Sequence, residues 1–184
     1  MGGRLFRRDL DGWGVSWESN GAYRHWCVQA RPGHRRRVVL VLKNPGSLSA
    51  AGEHLRRDTT LRILRAVGAV AGIDWLIVNV FDYAAANPRD LRENWRDRDA
   101  RALVFSRLDL RRDQFLIVAH GDFDAEHATA YRSLIALVRV VFGSLREFAI
   151  PTTRAGNGVH PINWQRMRLI PRVVQAIGAA TLRS

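Results

Sequence analysis

The chain has little of the residues on which several common kinds of site depend. Its 184 residues include one cysteine, Cys27, and one lysine, Lys43. A single thiol excludes an intramolecular disulfide and a cysteine-based zinc cluster. No apolar run approaches the roughly 18 residues of a membrane-spanning helix, and the first residues form no apolar secretory signal. We therefore expect a cytoplasmic protein with no membrane partner.

Nucleotide-binding and esterase fingerprints are also missing. No strand-like run is followed by Gly-x4-Gly-Lys, Gly-x-Gly-x2-Gly or Gly-x-Ser-x-Gly. These absences exclude nucleoside-triphosphate hydrolysis, Rossmann dehydrogenation and serine esterase chemistry, and no cofactor is expected. Candidate metal ligands lack the close spacing of a known motif, so the sequence predicts no metal site. The side chains considered are His54, Asp58, His120, His127 and His160.

Positive charge is what the chain has in excess. Lysine and arginine number 29 against 17 aspartates and glutamates, which gives a formal net charge of +12. Such a surface attracts polyanions through their phosphates. Charge alone indicates non-specific affinity and predicts neither a specific partner nor an oligomeric state. The arginines assigned to phosphate contacts are Arg24, Arg56, Arg57 and Arg154.

Hydrophobic periodicity predicts one domain over residues 1–184. Residues 1–37 form a basic, tryptophan-rich lead-in that we expect to pack on an α/β core. Strands are predicted at 38–42, 75–80, 115–119 and 148–150, with helices between them at about 59–70, 97–108 and 125–142 and a last helix at about 171–182. Such alternation is typical of right-handed parallel crossovers. The predicted fold is a three-layer α/β/α sandwich with a mainly parallel four-stranded central sheet.

Two short motifs directly follow predicted strands, and a third lies at the end of the loop that follows the last predicted strand. The carboxyl ends of parallel strands meet at one edge of a sheet, where such folds bind ligands. We therefore expect the three motifs to share one crevice. They are Lys43-Asn44-Pro45-Gly46, Ala119-His120-Gly121 and Gly158-Val159-His160-Pro161.

Each polar residue of these motifs has a chemical and a purely structural interpretation. Pro45 restricts Asn44 to extended conformations, so its carboxamide can hold a water; alternatively it only caps its own turn. His160 can stabilise a departing anion. Lys43 can act as a nucleophile or attract phosphate, or it is a plain exposed cation. His120 can transfer protons or serve a structural role.

Two further regions supply candidates. Asp58 precedes the first helix, where it is an N-cap and, if it faces the crevice, a general base. Asn79 lies in an apolar run and needs a buried partner, protein or ligand. The residues assigned to catalysis are Asn44, Asp58 and His160. Those assigned to substrate binding are Lys43, Pro45, Gly46, Asn79, Phe81, Asp82, His120, Gly121, Pro161 and Asn163.

The order of these motifs resembles a bacterial family catalogued as a domain of unknown function, DUF1643. Its members carry a Tyr-Arg pair, an Asn-Pro-Ser turn, Asp-Pro-Thr, Val-Asn-Leu-Phe, Trp-Gly and a late His-Pro-Leu. The likeness covers about residues 20–165, and His120 stands at the family's tryptophan. The matching segments are Tyr23-Arg24, Asn44-Pro45-Gly46, Asp58-Thr59-Thr60, Val78-Asn79-Val80-Phe81, His120-Gly121 and His160-Pro161-Ile162.

A more distant resemblance is to the uracil-DNA glycosylase superfamily. Its mismatch-specific branch carries Asn-Pro-Gly followed by a Leu-Ser segment, which is similar to residues 44–49, and the superfamily has a late His-Pro motif like His160-Pro161. This resemblance implies a glycosylase-like α/β/α fold and a role in DNA repair. A nucleic-acid partner, DNA in preference to RNA, is implied by the same resemblance. It also implies that Asn44 positions the attacking water and that the His160 motif contacts DNA near a flipped base.

These observations lead to one functional expectation and two alternatives. The expected activity is a nucleic-acid-directed hydrolase that cleaves the N-glycosidic bond of a flipped or modified base. Asn44 and Asp58 would manage the water and His160 would stabilise the departing base. The first alternative is a non-catalytic nucleic-acid or nucleotide-binding protein, and a weaker one is an enzyme acting on a free nucleoside or small anion.

Overall fold

A computed structural model describes residues 3–20, 23–45, 55, 57–84, 98–111, 113–123, 125 and 128–181. Within them the chain forms seven strands and five helices. The strands are β1 Arg4–Leu10, β2 Trp13–Asn20, β3 Tyr23–Ala30, β4 Arg36–Leu42, β5 Ile73–Asn79, β6 Asp113–Val118 and β7 Arg146–Glu147. The helices are α1 Thr59–Ala71, α2 Arg98–Ser106, α3 Ala128–Val141, α4 Pro161–Arg166 and α5 Ile170–Thr181.

The prediction of a mainly parallel four-stranded central sheet is wrong. One mixed sheet contains all seven described strands in the order β1-β2-β3-β5-β4-β6-β7. The strands β1, β2, β3 and β5 are joined by antiparallel pairings. Parallel pairings join β5 to β4, β4 to β6 and β6 to β7. The error lies in the lead-in, which forms three strands instead of a separate segment packed on a core.

A two-residue turn explains why the lead-in forms strands. Asp11 and Gly12 both have positive φ angles, 56° and 78°, and join Leu10 to its partner Trp13. This is the Asp-Gly signature of a tight hairpin whose twist matches its strands. In β2, the buried Trp13, Val15 and Trp17 alternate with more exposed residues, the period of two that a half-buried strand shows.

The central strands are buried on both sides. In β4, Val38, Leu40 and Leu42 point to one face of the sheet, and Val39 and Val41 to the other. Helices α1, α4 and α5 cover the first of these faces, which we call the α1 face. Helices α2 and α3 cover the opposite one, the α3 face. Polar residues at the carboxyl end of β4 can therefore belong to either of two separate environments.

Helix α1 confirms the local prediction closely. The Asp58 side chain accepts a hydrogen bond from the backbone N–H of Leu61, and Gly72 ends the helix with a left-handed φ of 67°. By contrast, helix α4 was not predicted; it begins where His160 acts as N-cap and Pro161 takes the first position. The last strand comprises Arg146–Glu147, before the predicted range of 148–150. In the part of the chain described here, no helix has the length and apolar character to cross a membrane.

Candidate functional site

The second motif joins the end of β4 to the last motif at the carboxyl edge of the sheet. Backbone N–H groups of Ala119 and Gly121 donate to the carbonyls of Val41 and Gly158, each over 2.9 Å. Gly158 lies so close to β6 that an added Cβ would be 2.0 Å from the carbonyl oxygen of Val118. The loop before His160 is therefore held against the ends of β4 and β6.

Lys43 is fixed over an aromatic ring on the α3 face. Its Nζ lies 4.7 Å from the centroid of the Phe123 ring and donates a hydrogen bond to the Asp122 carbonyl. A cation over an aromatic face is attracted by the ring's quadrupole. The only ammonium side chain in the sequence is thus partly buried at this edge, where its charge lowers the pKa values of both His120 and His160.

His120 is buried with both ring nitrogens occupied. Its Nδ1–H donates to the Gly121 carbonyl over 2.5 Å, so neutral Nε2 accepts from the Tyr131 hydroxyl, also over 2.5 Å. Burial, assisted by Lys43, lowers the pKa of His120 to about 4. Burial raises the pKa of Tyr131 to about 12. His120 is therefore a neutral structural residue in this arrangement, packed against Phe123 and Tyr131.

His160 has a defined tautomer. Its Nδ1 accepts a 3.3 Å hydrogen bond from the backbone N–H of Ile162, so the proton of the neutral ring is on Nε2. Burial, with smaller effects from Lys43 and His120, lowers its pKa to about 4. At neutral pH the ring is therefore an uncharged N–H donor. We call Lys43, His120 and His160 the imidazole cluster.

A carboxylate beside the imidazole cluster is used for structure. Asp122 Oδ1 accepts from Asn157 Nδ2 at 2.8 Å and from Thr153 Oγ1 at 2.6 Å. These two hydrogen bonds hold the pKa of Asp122 below its ordinary value. The carboxylate joins the loop after β6 to the loop before His160, and so positions the cluster.

Comparison with known families gives one match. A sequence profile described as protein of unknown function (DUF1643) matches residues 23–162. The chain belongs to the DUF1643 family. Searches of curated proteins and of solved structures returned no match for the chain. The DUF1643 region begins at β3, ends just inside α4, and includes the whole imidazole cluster.

The more distant glycosylase resemblance gains no support from these comparisons. No solved structure of any fold matches this DUF1643 protein. Its seven-stranded mixed sheet also differs from the parallel fold that the resemblance implied. The prediction of a glycosylase-like fold is therefore wrong, and the DNA-repair role stays a prediction that these comparisons do not support.

The three residues assigned to catalysis divide into two groups. Asp58 caps α1, with its Oδ1 2.9 Å from the Leu61 nitrogen, and its charge acts on Cys27 and Arg65. Among the contacts of the described residues, none joins Asp58 to His160. Asn44 donates to the Pro45 carbonyl over 2.8 Å in the turn after Lys43. Gly46 lies outside the described residues.

The end of β5 contributes packing and a separate hydrogen bond between side chains. Phe81 is buried and its ring lies 5.7 Å from that of Phe123, beneath Lys43. Asp82 accepts a 2.8 Å hydrogen bond from His25 Nδ1. Asn79 is fully buried and, by strand alternation, faces the α1 side with Ile77. Of these three candidates, only Phe81 packs with the residues around Lys43.

The remaining candidates differ in exposure. Gly121 and Pro161 are buried beside His160, and Asn163 is partly exposed on α4. Arg57 and Arg154 are exposed, as contacts with the phosphates along a nucleic-acid backbone require, whereas Arg24 is buried and cannot make such surface contacts. Arg56, His54 and His127 lie outside the described residues. The described part of the chain holds no group of three or more side chains suited to a metal ion.

Sequence reasoning missed the residues that support the cluster. They are Asp122, Phe123, Tyr131, Thr153 and Asn157. Asp122 and Phe123 follow His120-Gly121 directly, so their nearness was available from the sequence. Tyr131 could not be distinguished from a core residue, because its role depends on a hydrogen bond between its hydroxyl and His120, which is 11 residues away in the sequence.

Proposed function

We propose that this DUF1643 protein hydrolyses the N-glycosidic bond of a base in nucleic acid. The support comes from His160: a neutral imidazole with its proton on Nε2, next to the lysine charge. When the bond between the sugar carbon and the base nitrogen breaks, both electrons leave with the base. Donors and positive charge placed where negative charge develops lower the barrier of such a step.

The role of each residue follows from its chemistry. The Nε2–H of His160 donates a hydrogen bond to the departing base, and the ammonium of Lys43 stabilises its negative charge until the base takes a proton from solvent. Asn44, whose amide N–H donates to the Pro45 carbonyl in the turn, is assigned in this proposal to orient the water through its side-chain oxygen, a hydrogen-bond acceptor. The water oxygen adds to the sugar carbon and releases its proton to solvent. A step led by departure of the base needs an oriented water more than a strong general base, so Asp58 has no role in this proposal.

A second candidate is the non-catalytic binder of nucleic acid. Three carboxylates among the candidate and neighbouring residues already make structural hydrogen bonds: Asp58 to a helix N-terminus, Asp82 to His25, and Asp122 to Thr153 and Asn157. A protein with no available base at its site would bind without turnover. This observation favours the binder to the extent that water activation controls the rate.

Oligonucleotides that carry uracil, hypoxanthine or a mismatch separate the possibilities. The protein is incubated with each, and abasic sites are detected as alkali-labile breaks. His160→Asn retains an N-cap acceptor but removes Nε2–H, and Lys43→Met removes the charge. Loss of one such donor costs about 100-fold or more in rate. Arg111→Met is the matched control, because Arg111 is exposed and its ion pair with Asp109 lies away from the cluster.

Three outcomes are distinguishable. Base release that falls about 100-fold in both cluster variants, with Arg111→Met unchanged, supports the hydrolase. Salt-sensitive binding without base release overturns it in favour of the binder. Turnover of mononucleosides without affinity for the polymer overturns it in favour of a small-molecule enzyme.

A further inference from the structure

Two arginines on the α1 face are buried without hydrogen-bond partners for part of their guanidinium groups. Arg24 is 4% exposed and Arg65 is 7% exposed. Arg24 Nε and Nη1 and Arg65 Nη1 are inaccessible to solvent and have no partner among the residues that the structure describes. A buried charged donor without a partner costs several kcal/mol of desolvation. Their burial therefore needs an explanation.

Both guanidinium groups lie around the same buried thiol. Cys27 is fully buried on the α1 face, and its pKa is influenced by the charges of Arg24, Asp58 and Arg65. Strand β3 supplies Arg24 and Cys27, which pair with Ser19 and Trp17 of β2; the register shift between these pairs places both on the α1 face. Arg65 lies one helical turn after the buried Leu61, so it faces the sheet with it. We call Arg24, Cys27 and Arg65 the guanidinium cluster.

The acidic groups near the cluster do not pair with it. Asp58 uses Oδ1 to cap α1, and Asp11 and Asp58 attract Arg65 only through space. Desolvation still outweighs both attractions, so the pKa of Arg65 is below its ordinary value. Exposed Arg62 adds a further positive charge. Buried donor N–H groups without partners among the described residues thus lie beside the middle of helix α1.

We propose that Arg24 and Arg65 bind the phosphate group of a ligand between β3 and the N-terminal half of α1. Arginine is suited to this role because its planar fork of donors matches the oxygens of phosphate. Neither arginine belongs to the imidazole cluster, so phosphate binding at this site does not depend on hydrolysis there. Inorganic phosphate, a nucleoside monophosphate and a 5′-phosphorylated oligonucleotide share this chemistry and are the three sources to compare.

Thermal unfolding and Cys27 reactivity test the site in the full chain. Phosphate is compared with sodium chloride at equal ionic strength, and the single cysteine reports on this location through its labelling by a thiol reagent. A ligand at ten times its dissociation constant leaves about one eleventh of the molecules free. We expect labelling of Cys27 to slow by about that factor and the melting temperature to rise with phosphate concentration.

Charge-matched variants locate the effect. Arg24→Met and Arg65→Met each remove one charge at the cluster, and Arg62→Met removes one from the exposed side of the same helix. Phosphate protection lost in the first two and kept in the third supports the proposal. Arg24→Lys and Arg65→Lys, which retain the charge but not the fork, should weaken protection if the methionine variants do not fold.

Two results would overturn the proposal. One is equal protection by phosphate and chloride in the unmodified protein, which requires no variant to fold. The other is protection that persists in Arg24→Met and Arg65→Met. Protection retained in His160→Asn shows that the site stands apart from the proposed hydrolase. The phosphate source that acts at the lowest concentration identifies the ligand class.

Discussion

The two faces of the sheet differ in how far their buried polar groups find hydrogen-bond partners. On the α3 face, His120 has partners for both nitrogens and Asp122 is bonded to two side chains. On the α1 face, Arg24 and Arg65 keep buried donors without partners among the described residues. The protein alone completes the first arrangement, which is therefore preorganised. For the second, the proposal above is that a bound phosphate supplies the acceptors.

The largest expected effect is that of Gly158→Ala, which displaces the backbone that holds the imidazole cluster. In Gly158→Ala the new Cβ meets the carbonyl of Val118, which cannot move without displacing β6. We expect the free energy of unfolding to fall by about 3 kcal/mol, measured by urea denaturation. If the variant folds, phosphate protection of Cys27 should survive, because the guanidinium cluster does not contact this loop.

Gly72→Ala is the matched control for that comparison. Gly72 has φ 67° with no atom within 4 Å of an added Cβ, so alanine adds backbone strain without a clash. We expect a loss of about 1 kcal/mol. Equal losses in the two variants would show that Gly158 is not held against β6.

Part of this architecture was predictable because it is local. The cap at Asp58, the helix after it and the left-handed Gly72 depend on residues a few positions apart, and the structure has all three. The lead-in was misjudged although Asp11-Gly12 and the alternation of Trp13, Val15 and Trp17 were present. Its pairing of β3 with β5 joins segments far apart in sequence, which no local pattern specifies.

Acid should destabilise the imidazole cluster alone. His120 and His160 have pKa values of about 4 when folded, against an ordinary 6.5. Below pH 6.5 the unfolded chain takes up protons that the folded protein does not, so stability is complete above that pH and is lost as pH falls towards 4. The maximum slope is about 1.4 kcal/mol per pH unit for each residue, measured by denaturation at successive pH values.

The guanidinium cluster should not change its protonation between pH 6.5 and 4. Guanidinium groups do not titrate there, and the pKa of Cys27 is raised to about 11 by burial. In His160→Asn the slope between pH 6.5 and 4 should become shallower. An unchanged slope would mean that His160 is already protonated, and thus charged, in the folded protein.

The smallest expected effect concerns Asp58, which links α1 to the guanidinium cluster. Asp58→Ala removes the N-cap and should cost about 1 kcal/mol, whereas Asp58→Asn keeps a cap and removes the charge. Because that charge opposes a phosphate beside Arg65, Asp58→Asn should lower the phosphate concentration needed to protect Cys27. Protection at an unchanged concentration in Asp58→Asn would place the phosphate away from α1.

Strand direction explains why part of the candidate site was predictable. Lys43, His120 and His160 follow β4, β6 and the last loop, and parallel strand ends share an edge, so their nearness could be anticipated. The separation of Asp58 from them could not. It depends on which face of the sheet α1 covers, and the helix pattern carries no information on that choice.

The packing of strands β1–β3 against helix α1, which comes later in the chain, has a consequence during synthesis. Trp13 of β2 packs where Gly68 of α1 leaves room, with the indole 2.8 Å from the place a Cβ would take. Hairpins β1–β2 and β2–β3 can close as soon as they leave the ribosome, because their turns are short. The face that carries Trp13 and Trp17 nevertheless stays uncovered until α1 has been translated. During that interval the nascent chain exposes an aromatic surface that is prone to aggregation.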